Sequence, residues 1–345
     1  LSQEIVLNIR LCAASSQRVD YTVSYNDSVL ISNNIRALGS SELGVNSQAS
    51  KRFRLQKSPA RNIVSLKCAL PQLSDKAYLD YVTAEMPTEL KMPSSGVMYL
   101  NIAEGTRRYR GGASEVTISN TSREDIVWCI DDATKPTLVT SSFSNNELSF
   151  TQDNSEVHKY VVFNTSKISS FPEPLFVSEV ENQNLHATPA VDYIIVYHPM
   201  FKSQAEELAE IHRHHSGLAV YCASTDDIYN EFNGGQRSAT AIRDYARFVY
   251  QKSNGKLRYL LLFGEGSYDN LSYGSANPYN LVPTYQSVQS LHDTQSYVTD
   301  DFFAWLEDDE LVYDTRANVD IGVGRFPIYE VEDAQIMVDR VKNYL

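Results

Sequence analysis

The chain has 345 residues, 42% apolar and 21% charged, a balance that excludes wholesale disorder and exceeds what one compact domain usually holds. Its 43 acidic residues against 30 basic ones leave a net charge of −13. That excludes nucleic acid as a partner, because phosphate binding needs clustered Lys and Arg. No apolar run approaches the roughly 18 residues of a membrane-spanning helix, so no membrane span is expected in this chain.

The opening LSQEIVL carries no basic segment followed by an apolar one. It reads as a cut end, that of a cytosolic chain or of one whose signal peptide has been removed. The four cysteines, Cys12, Cys68, Cys129 and Cys222, are scattered singly with no CxxC spacing. A zinc cage or redox pair is therefore not expected, and the three that sit in strand-like apolar stretches are expected to be buried as small apolar side chains. Their spacing does not demand disulfides.

Up to about Ala187 the pattern is one of short strands. DYTVSYNDSVLI (20–31), NIVSLKCAL (62–70), AYLDYVTAEM (77–86) and EVTISN (115–120) alternate or run rich in Val, Ile, Thr and Tyr. DIVWCI, PTLVTSSF, ELSF and KYVVFN continue the series between Ser, Asn, Asp and Gly clusters, with no helix of three turns. Residues 1–187 are expected to form an antiparallel β-sandwich region.

After Pro189 the period changes. VDYIIVYHP (191–199) is a continuous apolar run, as in a strand buried on both faces of a parallel sheet. Ser203 with Glu206 has the spacing of a capping box, and Ala205, Leu208 and Ile211 follow at helical spacing. Gly217 stops that helix before the strand LAVYCA (218–223). Asp226 or Asp227 is expected to cap a short helix, and Ser238 a longer one with Ile242, Tyr245, Ala246, Val249 and Tyr250 on one face. YLLLF (259–263), DDFFAWL, the strand VDIGVGRFP (319–327) and a last helix striped by Ala334, Met337, Val338, Val341 and Tyr344 complete the order. Residues 188–345 therefore read as an open, mainly parallel α/β domain. The stripe still runs when the chain stops at Leu345, which is expected of a truncated domain.

In an open α/β sheet the loops at the carboxyl ends of the strands carry the site, and FGEGSYDN (263–270) is such a loop. It is not a dinucleotide loop: the third glycine position is Asp269, and SYGSANPYNLVP after it is not helical. No GxxxxGK[ST] occurs, and the glycines of VDIGVGRFP fail the same test. Two readings stay open. Either the glycines let a buried strand turn sharply, or the loop faces a site. In the second case Glu265 and Asp269 meet Asp300 and Asp301, and clustered carboxylates of that kind suit calcium.

Other constellations are weaker. HRHH supplies His212, His214 and His215 at a helix end, where cations suit the dipole, but no carboxylate partner for zinc. His198 before Pro199 reads as a turn residue. Cys222 lies near Thr225 and Asp226 with no histidine placed to activate it, and there is no GxSxG. No nucleophile–base pair is evident.

Taken as a whole, Tyr193 to Leu345 resembles the gingipain-type cysteine peptidases, which have a caspase-like fold. The order YIIVYHPMF, AEELAEIHRHHSGLAV, IYNEF, SATAIRDYARFVY, LRYLLLFGEGSYDN, YVTDDFFAWL and DIGVGRFP carries it. Within that family it is most similar to the sortase-type members of the type IX secretion system of Bacteroidetes, which also have a β-rich region ahead of the peptidase domain. Where the family has Gly-Asp after the third strand, this chain has Gly264-Glu265. The resemblance implies removal of C-terminal secretion signals from cargo proteins and attachment of the product at the cell surface. It implies other secretion-system proteins as partners, and a location that is exported, at the outer membrane, the cell surface or in the periplasm. Calcium in related peptidases bears on Glu265 by analogy only. The family's catalytic His follows a Gly-His-Gly-like turn and its Cys ends a later strand. Neither has a counterpart here, so no catalytic residue carries over and the chain is expected to be inactive alone. Two alternatives stay open: a non-catalytic scaffold of a secretion machine, and a secreted gingipain-like protease.

Overall fold

The computed structural model describes residues 3–55, 62–86, 89–102, 112–164, 166–167, 173–176, 179–180, 182–270, 279–307 and 318–345. The strands ahead of residue 165 are β1 (Gln3–Ala14), β2 (Val19–Tyr25), β3 (Ser28–Ile35), β4 (Val45–Leu55), β5 (Val64–Ala69), β6 (Lys76–Glu85) and β7 (Val97–Ile102). They continue with β8 (Ala113–Ser119), β9 (Asp125–Cys129), β10 (Thr137–Val139), β11 (Ser141–Ser144), β12 (Glu147–Asp153) and β13 (His158–Asn164). By contact the chain divides into two compact units. One holds Leu1–Asn8, Ser50–Ala60 and Thr83–Glu179, the other Ile9–Ala49, Arg61–Val82 and Val180–Leu345. β1, β4 and β6 form a sheet in the order β4-β1-β6.

In the first unit two antiparallel sheets, ordered β10-β9-β13-β7 and β11-β12-β8, share one core. Period-two patterning builds it: Leu148 and Phe150 of β12 and Tyr160 and Val162 of β13 turn inward. The run PTLVTSSF breaks between Val139 and Ser141, so its two halves join different sheets.

The second unit includes the antiparallel sheet β3-β2-β5. Along β2, Val19, Tyr21, Val23 and Tyr25 are buried in strict alternation. β2 returns into β3 through Asn26 and Asp27, both at positive φ (42° and 68°), the hand that matches strand twist in a tight hairpin.

The rest of this unit is the α/β sheet. It contains β14 (Tyr193–Tyr197), α1 (Lys202–His215), β15 (Val220–Ser224), α2 (Thr225–Phe232), α3 (Ala239–Lys252) and β16 (Tyr259–Phe263). A two-residue ribbon of β17 (Tyr285–Gln286) and β18 (Val298–Thr299) precedes β19 (Gly322–Phe326) and α4 (Val331–Tyr344). The order is β15-β14-β16-β19 and every pairing is parallel. Both faces are covered. Ile194, Val196, Leu260 and Leu262 pack with Ile228, Ile242 and Tyr245 of α2 and α3. Ile195, Leu261 and Phe263 pack with Leu208 and Ala209 of α1 and Val338 of α4. Alternate residues go to opposite faces and both faces are dry, which is why these strands read as unbroken apolar runs.

Three local expectations are corrected. The capping box at Ser203 does not form. Pro199 presets a 3-10 turn, Pro199–Phe201, that runs directly into α1, so Ser203 already lies in the first turn. α2 is capped by Ser224, whose hydroxyl accepts from the Asp227 N–H at 3.1 Å, and Asp226 and Asp227 fall inside the first turn where carboxylates suit the dipole. In α4 the packed stripe ends at Val341, and Tyr344 is 90% exposed. Ser238 caps α3 as expected, accepting from the Thr240 N–H at 3.1 Å.

Leu262 lies at the centre of this sheet with no solvent exposure. Leu262→Ala should cost about 2–5 kcal/mol, read as a lower urea midpoint for the transition reported by Trp305 in a Trp128→Phe background.

Candidate functional site

The carboxyl ends of the four parallel strands lead into the candidate site. After β16 the backbone passes through Gly264 at φ +149°, a conformation few residues with a side chain adopt. A Cβ there would also lie 2.8 Å from Val282 Cγ2, and one on Gly266 would lie 2.9 Å from the Val282 carbonyl. Both glycines thus make room for the crossing segment around Val282. Glu265 continues the ladder on both sides: its N–H donates to the Ile328 carbonyl at 2.8 Å, and its carbonyl accepts from the Leu281 and Val282 N–H groups at 2.9 Å. This is the strand-turning reading of the two.

Arg325, on β19, holds the site together. Nε donates to Asp300 Oδ2 at 2.7 Å and Nη2 to Oδ1 at 2.8 Å, a fork against both carboxylate oxygens. Nη1 donates to the carbonyls of Gly264 and Val282 at 2.7 and 2.8 Å, and Nη2 to that of Pro283 at 3.3 Å. All five guanidinium hydrogens are thereby used. The Arg325 side chain is 11% exposed and that of Asp300 28%, so the pair is shielded. Asp300 also accepts from the Thr284 hydroxyl at 3.1 Å. A further clamp joins the loops: Asn280, itself buried, donates to the carbonyls of Asp269 and Asn270, and Arg237 donates to the Asn280 carbonyl.

Of the four carboxylates expected to meet, Glu265 and Asp300 line one small cavity of about 200 Å³ together with Gly266, Thr284, Val298, Thr299 and Arg325. Asp269 and Asp301 are not in its lining. Asp301 opens the 3-10 turn Asp301–Ala304, is exposed, and its N–H donates to Thr299 Oγ1. Asp300 is committed at both oxygens to a guanidinium that would repel a cation placed against Glu265. The signal that could have found Arg325 is its position: a cation in the otherwise apolar and glycine-built strand GVGRF calls for a partner.

The remaining candidates have plain partners. His198 lies at the end of β14, where its Nδ1 accepts weakly from the Met200 N–H and burial pushes its pKa down. His212 rests edge-on against Tyr193, and His214 pairs with Glu210 at 2.7 Å. The thiols of Cys12, Cys68, Cys129 and Cys222 all have raised pKa values, burial being the largest cause in each, and Cys222 is pushed up to about 12. None has the lowered pKa of an activated nucleophile.

Three outcomes check this geometry. Arg325→Ala should destabilise the second unit by about 1–3 kcal/mol, because the half-buried Asp300 loses its ion pair and three backbone carbonyls lose their donor. Arg325→Lys should recover little of it, a single ammonium being unable to serve four separated acceptors, as urea denaturation followed by Trp305 will show. Native Cys222 should react with iodoacetamide at pH 7.5 at least ~100-fold more slowly than free cysteine, measured by mass spectrometry of the Cys222 peptide. A rate equal to that of free cysteine would show a stabilised thiolate instead.

Comparison with known proteins agrees with this fold. The chain spans about a third of the solved structure of dimeric latent PorU from Porphyromonas gingivalis: 99% of this chain superposes on 34% of that one, with a TM-score of 0.80 and 23% identity. A comparison with curated proteins finds no match. Residues 186–345 match Peptidase family C25, the gingipain family, and this is the family that the order of motifs from Tyr193 onward suggests.

Proposed function

We propose that this chain is the amino-terminal part of an exported cysteine peptidase of sortase type, one that removes C-terminal secretion signals from cargo proteins and attaches the products at the cell surface. The observation that carries the reading is that the likeness to latent PorU extends over 99% of the chain, β-rich region included, and not only over the α/β segment that matches the peptidase family. In such an enzyme a cysteine thiolate attacks the scissile carbonyl while histidine serves as general base and then acid. The resulting acyl-enzyme passes to water or to an acceptor amine. No residue of this chain is assigned to those roles, and the raised pKa values of its four thiols support its inactivity in isolation. Its contribution is a rigid sheet whose outlet loops are braced by Arg325 against Asp300. Among the described residues no helix is long and apolar enough to cross a membrane.

Deleting the gene in its host should leave secreted cargo with uncut C-terminal signals, detected by mass spectrometry of C-terminal peptides. The full gene should restore processing, and one ending at the codon for Leu345 should not. Normal processing in the deletion strain would refute the sortase reading and favour a scaffold or an ordinary secreted protease.

A further inference from the structure

The first unit holds a group of side chains that the proposed peptidase chemistry does not use. β9 and β13 pair antiparallel with Cys129 opposite Tyr160. Continuing that register by two residues puts Asp131 opposite His158, and the Ile130 N–H donates to the Lys159 carbonyl at 2.8 Å, so the pairing persists past the end of β9. Residues two apart on a strand share a face, so Cys129, Asp131 and His158 converge. Their potential ligand atoms all lie within 4.8 Å of one another.

We propose that Cys129, Asp131 and His158 form a binding site for one divalent transition-metal ion of zinc type. One thiolate sulfur, one imidazole nitrogen and one carboxylate oxygen make a mixed donor set that suits zinc and its cobalt substitute, and not calcium or magnesium, which take oxygen. The scaffold is in place. Asp131 Oδ1 is held by the Lys159 N–H at 2.6 Å, an outer-shell contact that orients the carboxylate. Oδ2 faces His158 Nδ1 at 2.7 Å, a hydrogen-bond distance. A metal ion takes the place of the shared proton there, the neutral imidazole carrying its proton on Nε2 instead, and tetrahedral bonds of about 2.0–2.3 Å require these two atoms to part by roughly half an ångström. Asp131 lies past the last ladder bond, from the Ile130 N–H to the Lys159 carbonyl, and its half-exposed side chain can make that movement. On binding, the Cys129 S–H bond gives way to a metal–sulfur bond and its proton passes to solvent. The site is open to an entering ion: the Asp131 side chain is 42% exposed and that of His158 22%. Three protein ligands leave the fourth position to water.

The test uses the chain freed of metal with a chelator, then titrated with Zn²⁺ by calorimetry and with Co²⁺ by absorbance. One ion per chain is expected, with a near-ultraviolet thiolate-to-cobalt band. Cys129→Ser, a near-isosteric change, should abolish the band and weaken Zn²⁺ at least tenfold, and His158→Gln should weaken it comparably. Cys222→Ser should leave both unchanged. Zn²⁺ should raise the unfolding temperature of the parent chain and not that of Cys129→Ser, a readout that stands even if His158→Gln folds poorly. Absence of the band, or a band that survives in Cys129→Ser, would overturn the proposal. So would Zn²⁺ binding that Cys129→Ser leaves unchanged, since that binding would belong to other groups such as the histidines at the end of α1.

Discussion

The Arg325 guanidinium, on the edge strand of the parallel sheet with its side chain only 11% exposed, must find an acceptor for each of its five N–H groups or lose several kcal/mol of solvation. Arg325 finds them in four places on the chain: the end of β16, two consecutive carbonyls of the segment crossing it, and the carboxylate of Asp300. Because these acceptors come from separate loops, one side chain sets the spacing of the whole outlet side of the sheet. The glycines on either side of Glu265 follow from the same constraint. Gly264 gives the crossing segment room at Val282, and a Cβ on Gly266 would lie 3.2 Å from Arg325 Nη1. The Gly-Glu-Gly stretch is thus a fitting around a charge, not a cradle for phosphate.

The same charge decides what the neighbouring carboxylates can do. Asp300 alone would be a good cation ligand, but paired at both oxygens it presents no net charge to the cavity it shares with Glu265. Burial acts on the thiols in the same spirit, favouring the neutral form, so that no cysteine here is poised for attack.

Local signals succeeded where the decisive contact is local. Ser238 caps α3 because its hydroxyl needs only an N–H two residues away. The stop at Gly217, the stripe of α3 and the unbroken runs of β14 and β16 were legible for a related reason: burial on both faces of a strand, or on one face of a helix, leaves a period in the sequence. The signals failed where two were in competition. A capping box at Ser203 and a 3-10 turn started by Pro199 both propose a helix start, and the proline wins because its φ is already fixed. Ser224 and the aspartates after it compete likewise, and the residue at the end of β15 holds the extended conformation that a cap requires.

By itself, the sequence determined the main α/β elements after Pro189 and the change from antiparallel to parallel pairing near residue 187, but not the strands β1, β4 and β7. Those it determined depend on period, charge and the spacing of glycines, all of which are written along the chain. Only the tertiary structure decided the partner of Asp300. The four aspartate and glutamate positions were visible, and so was Arg325, but a sequence does not state distances between residues 25 or 61 positions apart. Parallel pairing of β16 with β19 brings Arg325 beside Gly264 and Asp300, and so sets a guanidinium against that carboxylate. The meeting of Cys129, Asp131 and His158 was hidden for the same reason, since strand register, which no local pattern specifies, put them on one face.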